Sequence, residues 1–489
     1  MSISLAKEIG FSHAHSPSQV SVGVRIAAFL DRAVFISLLT LIALVAVPYG
    51  TVEAWWIAAF ECAVFVLAAL WVIEGWLCGS WHLKELRLFA PLLLLIFFAF
   101  VQTIPFLKTG GESGQSLWKA LSADAYETEL FVLRLSALVL SGALLLRYTS
   151  SARRLRALVS LIIVVGAASA AFGLARQACQ QNAQGFLLPY LKLNAGYAQF
   201  INKNHFALLI EMSLGLALGL IACGGARRER LFIYGAGAFL MFAALVLTYS
   251  RGGIFSILSQ LVFLALLSIF MRRARSLEEQ DEDKLSKRKL IRQFALRAIL
   301  IASLLIVIAS SVIWIGGDVL ITRLESLPDE AGLAQGEAHA GVRRVEIWGA
   351  SWKLFKDHPL IGSGFGAYST AITKHHDASG AWTPEAAHND YLELLTSGGL
   401  TGVLLFGWFV VAILKRSLKL LRSSTDRFQR AAICGALTGL FGVSLHSFVD
   451  FGLHVTINAL FFVALAVIAT ANVRAGIEVL AMNNGFREN

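Results

Sequence analysis

The chain has 489 residues, 57% of them hydrophobic and 15% charged, with a net charge of +10. Soluble globular chains run about 45–50% apolar and about 25% charged, so this composition excludes a soluble enzyme, a disordered protein and a secreted disulfide scaffold. The basic excess matches the positive-inside bias of membrane proteins, and its scatter in short loops between apolar runs argues against nucleic-acid binding.

A bilayer core about 30 Å thick needs about 20 apolar residues per helix. Runs of that kind lie at 26–47, 54–78, 88–104, 129–146, 155–175, 205–223, 231–249, 252–271, 298–316, 399–414, 431–449 and 454–471. They predict an all-α polytopic membrane protein with about 12 transmembrane helices. The first run is too long for a cleavable signal peptide and is followed by many more, so it reads as a signal-anchor span. The five cysteines, at 62, 78, 179, 223 and 434, have no close spacing and no CxxC, which argues against a disulfide framework or a zinc site. Three regions are expected: an N-terminal membrane bundle over 1–200 (spans 1–5), a catalytic membrane region over 201–471, and a cytoplasmic tail over 472–489.

Lys and Arg set the orientation. With the N-terminus inside, the inner segments carry 28 basic residues and the outer ones 12, with nine in 272–297 and six in 415–430. Both termini are therefore expected in the cytoplasm. The bulk outside the membrane falls on the other side, in a segment of about 80 residues at 317–398 between spans 9 and 10. Long loops with patterned chemistry usually carry function. The extracytoplasmic space holds no nucleotide pool, so an enzyme working there takes its driving force from an activated, lipid-linked donor.

Asn202-Lys203-Asn204-His205 opens span 6 from the outer side; either Asn suits a cap, and a helix N-terminus flanked by Lys203 and His205 attracts anions. Tyr249-Ser250-Arg251-Gly252-Gly253 makes a tight outer turn between spans 7 and 8 in which Arg251 is the only charge. A guanidinium fork suits phosphate because it can bond two oxygens at once. Beyond the ninth span, Arg343 and Arg344 precede Val345, Trp348, Trp352 and Phe355, whose spacing predicts an amphipathic helix lying in the interface, with one arginine free to reach an anionic group. Pro359 to Tyr368 carries a GxGxG pattern, but no βαβ unit surrounds it, so it reads as a flexible or tightly turned loop beside the membrane rather than a dinucleotide site. His388, at the start of His388-Asn389-Asp390-Tyr391-Leu392-Glu393, is suited to accept a proton near neutral pH, and Glu393 is spaced to orient it. His375 and His376 lack acidic partners at metal-ligand spacing.

These motifs together resemble the O-antigen ligase and O-antigen polymerase superfamily of bacterial surface-polysaccharide assembly. The ligase pattern H-(N/S/Q)-x9-G-x-x-(G/T/Y) is met by His388, Asn389, Gly399 and Gly402; Arg344 and Trp348 fit Arg-x3-Trp; Pro359, Gly362 and Gly364 fit Pro-x-x-Gly-x-Gly; Ser250, Arg251 and Gly252 fit the Ser-Arg-Gly turn. The likeness covers about residues 200–470, and the first 200 mainly by hydropathy. It implies a metal-independent, inverting glycosyltransferase without cofactors, at the periplasmic face of the inner membrane. The donor would be a glycan on undecaprenyl pyrophosphate, and the acceptor lipid A core for a ligase or a second lipid-linked glycan for a polymerase or exopolysaccharide enzyme. By the match, Arg251 and Arg344 hold the pyrophosphate and His388 takes the acceptor proton, with Lys203, His205, Arg343 and Asn389 as further substrate contacts. A transporter or flippase is the rival reading. It rests on intramembrane or near-membrane charges such as Asp31, Glu74 and Glu211, and the absence of a visible repeat between the halves counts against it.

Overall fold

The computed structural model describes residues 22–79, 84–110, 116–179, 196–278, 344–376 and 384–473. Among these, nine helices are long and apolar enough to cross a membrane, and two shorter apolar helices accompany them. The first eight are α1 (Val22–Val45), α2 (Ala54–Cys78), α3 (Ala90–Thr103), α4 (Ala125–Tyr148), α5 (Ala152–Cys179), α6 (Lys203–Ala222), α7 (Arg228–Leu247) and α8 (Arg251–Glu278). After the predicted loop come α9 (Arg344–Asp357), the single turn α10 (Tyr368–Ile372), α11 (Asp390–Ser423), α12 (Arg427–His446) and α13 (Thr456–Thr470). Eleven of the twelve apolar runs coincide with helices; the run at 298–316 lies outside the described residues, as does most of the first half of the 317–398 loop.

The architecture is all-α apart from one short hairpin, β1 (Pro105–Gly110) with β2 (Ser116–Ala120), inside a segment expected as plain loop. Short apolar stretches around a glycine-bearing connection favour pairing of this kind.

The bundle is organised around α6, whose residues from His205 to Leu220 are all buried. Its widest contact is with the antiparallel α12, and the reason is steric. A Cβ on Gly219 would stand 2.2 Å from Gly435 Cα, and one on Gly215 would stand 2.8 Å from Gly439 N. Two glycine pairs at four-residue spacing thus let the backbones touch, a common solution where lipid provides no hydrophobic drive between helices. The result sets the start of α6, with His205, beside the end of α12 and the segment that follows it. One hydrophobic core runs through helices of both halves of the chain.

Two pairs of intramembrane charges stand out among the described residues. Asp31 meets Arg154, and Glu74 meets Arg147 at 3.3 Å and the Tyr148 hydroxyl. Such pairing offsets the cost of charge in lipid, and it gives these residues of α1, α2, α4 and α5 a bracing role.

The Pro-x-x-Gly-x-Gly element is tightly turned and fixed. Backbone bonds run from Ser363 N to Thr396 O (2.8 Å), Gly364 N to Ser397 O (3.0 Å), Leu400 N to Pro359 O (2.9 Å) and Thr401 N to Leu360 O (3.1 Å). They meet α11 where Gly399 (φ 60°, ψ −163°) interrupts its helical path. Gly362 has φ +70° and stands so close to Ser397 that a Cβ would come within 2.2 Å of its carbonyl oxygen. Gly362→Ala combines that clash with an unfavourable φ, so we expect a loss on the order of 3 kcal/mol. A clear drop in the thermal midpoint of the detergent-purified variant is the measurement.

Candidate active site

Each motif residue reaches one end of the bundle by a local device. Asn202 accepts a bond from Asn204 N (2.9 Å) and caps α6, which places Lys203 and His205 in its first turn. Ser250 accepts from Gly253 N (3.2 Å), so α8 begins at Arg251 with amide groups of its first turn directed outward from the helix end. Gly252 and Gly253 serve helix packing: a Cβ on Gly252 would meet His446 Nε2 at 2.9 Å, and one on Gly253 would meet Ala207 Cβ at 3.0 Å. The arginine turn therefore sits directly on α12 and α6.

Beneath that turn, His446 Nδ1 lies 2.6 Å from Glu211 Oε1, and Ser256 donates to Glu211 Oε2 at 2.6 Å. All three are buried, and they come from α12, α6 and α8. This small polar network keys together the helices that carry His205, Arg251 and the chain after His446.

His388 is half-buried and adopts φ +51°, a left-handed conformation that costs a non-glycine residue about 1–2 kcal/mol. The peptide before it is fastened on both sides. The Trp348 indole donates to Ala387 O (3.0 Å), and Ala387 N donates to Glu393 Oε2 (2.9 Å). Trp348 and Glu393 thus fix the backbone that aims the imidazole; Glu393 does so through the chain and not by gripping the ring. Asn389 accepts from Leu392 N (3.0 Å) and caps α11, which commits its carbonyl oxygen to the helix. Asp390 N donates to Ser447 O (2.9 Å), and Ser447 Oγ donates to Asp390 Oδ2 (2.7 Å), which ties the start of α11 to the end of α12.

Arg344 opens α9 with an exposed side chain, and Arg343 lies outside the described residues. The buried face of α9 is Ile347, Ala350, Ser351 and Leu354, packed with Tyr368, Ile372 and Ala387. The aromatic stripe picked out by spacing is offset from it: Trp352 stays 47% exposed against Phe355, ring centroids 5.1 Å apart. Trp348 turns to Ala387, while the exposed Trp352 and its neighbour Phe355 present rings suited to a headgroup layer.

Burial lowers the His388 imidazole below its ordinary pKa of 6.5, the Arg344 charge lowers it further, and Asp450 opposes both. The ring is therefore neutral, and able to accept a proton, at neutral pH. Its edge-to-face contact with Phe451 (centroids 4.7 Å) is matched by that of His205 with the same ring (4.9 Å). His205 Nε2 stands 3.8 Å from Asp450 Oδ2, and His454 Nε2 stands 3.1 Å from Glu393 Oε1. His388, His205 and the Arg251 turn thus meet around the segment 446–454, and the charge of Arg344 reaches His388. Lys203 opens the same helix two residues before His205.

Sequence reasoning missed that segment: His446, Asp450, Phe451 and His454 stand at no spacing that spells a motif. Arg176, by contrast, is structural and buried, donating to Ala198 O at 2.6 Å. His375 is bound to Asp357 (2.8 Å), which Lys374 and His375 hold down at a pKa of about 2.

No curated protein sequence matches the chain significantly. Residues 236–407 match the O-antigen ligase family, and that segment includes Arg251, Arg344 and His388. The match covers that segment alone, and it agrees with the likeness to the O-antigen ligase and polymerase superfamily carried by the motifs.

Proposed function

We propose that the chain is a glycosyltransferase of the bacterial inner membrane that works at the periplasmic face, with both termini cytoplasmic. It moves a glycan from undecaprenyl pyrophosphate to an acceptor hydroxyl, and lipid A core is the preferred acceptor. The observation that carries this reading is a neutral, backbone-fastened His388 beside the charge of Arg344, within the segment that matches the ligase family.

The reaction needs one base and strong anion stabilisation. His388 takes the acceptor hydroxyl proton as the oxygen attacks the anomeric carbon. The bond from that carbon to the diphosphate oxygen breaks, and its electron pair leaves with undecaprenyl diphosphate. Arg251, Arg344 and the amides opening α8 stabilise the charge growing on the leaving group. Direct attack from the opposite face inverts the anomeric centre. Lys203, His205 and Arg343 supplement the anion site, and no step requires a metal. The region 201–471 carries this chemistry, and 1–200 braces it.

Deleting the gene and resolving surface glycans on a gel tests the acceptor assignment. Loss of all capped lipid A is the expected result. Single-repeat caps would instead indicate a polymerase, and intact lipopolysaccharide with missing secreted polymer an exopolysaccharide enzyme; either would overturn the lipid A core assignment. Unchanged glycans of every class would return attention to a transporter.

A further inference from the structure

At the end of α11 away from the candidate active site, the helix outruns its apolar stretch. Leu404, Trp408 and Val411 are exposed, and their spacing puts them on one stripe of the helix. Lys415, Lys419 and Arg422 continue that stripe toward the helix end. All three are exposed, and none has a hydrogen bond or ion pair among the described residues. The neighbouring Arg416 is engaged instead: its Nε donates to Thr470 O at 2.8 Å, which ties it to α13. With Leu418 and Ser423, the three cations line an open cavity of about 500 Å³.

The dimensions suit a lipid. At about 1.5 Å per residue the stretch from Leu404 to Lys415 is about 16 Å long, close to half of a hydrocarbon core about 30 Å thick. An acyl chain of the leaflet opposite the active site therefore has an apolar track along Leu404, Trp408 and Val411, and its headgroup arrives at three cations without internal partners. The dipole of a helix favours cations within its last turn, which accounts for Arg422 and not for Lys415 and Lys419. Lysine stems lie along apolar surface while their ammonium groups reach the headgroup layer, and Leu418 stands among them as an apolar floor. Clustered cations beside a membrane attract anionic headgroups.

We propose that this face of α11 binds one anionic phospholipid, its phosphate held by Lys415, Lys419 and Arg422 and its acyl chain laid along the stripe above them. The apolar track leading into the cavity distinguishes a lipid from free phosphate as the occupant. The inference is independent of the reaction proposed at the other end of the bundle.

The test uses the full-length protein in detergent, with phosphatidylglycerol as the probe and native mass spectrometry to follow lipid bound per protein. Wild-type protein should bind phosphatidylglycerol in preference to phosphatidylcholine. Replacing Lys415, Lys419 and Arg422 together by Gln should weaken that binding on the order of 100-fold, at about 5-fold per cation. Arg227, Arg228 and Arg230 are exposed around the start of α7, at the same end of the bundle. Replacing those three by Gln removes equal charge and should leave the binding unchanged. Inorganic phosphate, compared with chloride at matched ionic strength, should not displace the lipid. Lys419→Gln alone, with an expected loss of about 5-fold, serves if the triple variant does not purify as a folded protein.

Equal binding of phosphatidylcholine, or unchanged affinity in the Lys415, Lys419 and Arg422 variant, overturns the inference. Displacement by inorganic phosphate overturns it as well, since a soluble anion would then be the occupant. So does an equal loss in the α7 variant, which would mark the binding as a general effect of basic charge.

Discussion

Replacing His388 by Asn should lower the rate of glycan transfer on the order of 100-fold or more, with little change in the amount of folded protein. Asn is the informative substitution because it tolerates the left-handed backbone found here, φ +51°. His388→Ala removes the same base but adds backbone strain, so its loss mixes two causes. General-base catalysis is worth about 10²–10⁴-fold, and Trp348 and Glu393 fasten the Ala387 peptide that precedes this ring. Size-exclusion profile and thermal midpoint check the fold, and initial transfer rates read the chemistry. A His388→Asn protein that transfers glycan at the wild-type rate contradicts the assignment.

The arginines should behave differently from the base. Arg251→Ala and Arg344→Ala are each expected to reduce kcat/KM by about 10²–10³-fold, the range seen when one preorganised donor to a developing anion is removed. Lys in place of either should recover part of the loss, because it restores the charge but not the planar fork. Removing Arg344 also removes a cation that opposes protonation of His388, so the acidic limb should move to higher pH in Arg344→Ala. Measuring kcat/KM and its pH profile for the variants tests the electrostatic argument, and an acidic limb that stays in place or moves to lower pH in Arg344→Ala would refute it.

Much of this arrangement was legible in the sequence because hydropathy and helix punctuation are local. The apolar runs set the helices, Asn202 marked a helix start, and Ser250-Arg251-Gly252 marked a tight turn at a helix end. Other features depend on chain segments far apart. Gly362 requires its conformation because Ser397 lies against it, and no spacing announces that contact. The glycine pairs 215/219 and 435/439 carried a readable signal for helix pairing, and that pairing would have brought Glu211, His446 and Asp450 toward His205. Asp450 itself stands alone in the sequence; only burial, and the absence of a described hydrogen-bond partner, distinguish it. The aromatic stripe of α9 was legible from its spacing, whereas the packing of Ile347, Ala350 and Leu354 against Tyr368, Ile372 and Ala387 depends on a chain segment beyond the helix.

The most direct measurement uses the purified protein with an undecaprenyl-pyrophosphate-linked glycan and lipid A core, with chelator present, and follows glycan joined to acceptor together with undecaprenyl diphosphate released. The account predicts equal amounts of the two products from the wild-type protein and almost none from His388→Asn. Wild-type protein that consumes no donor, or a His388→Asn variant that matches it, would contradict the account.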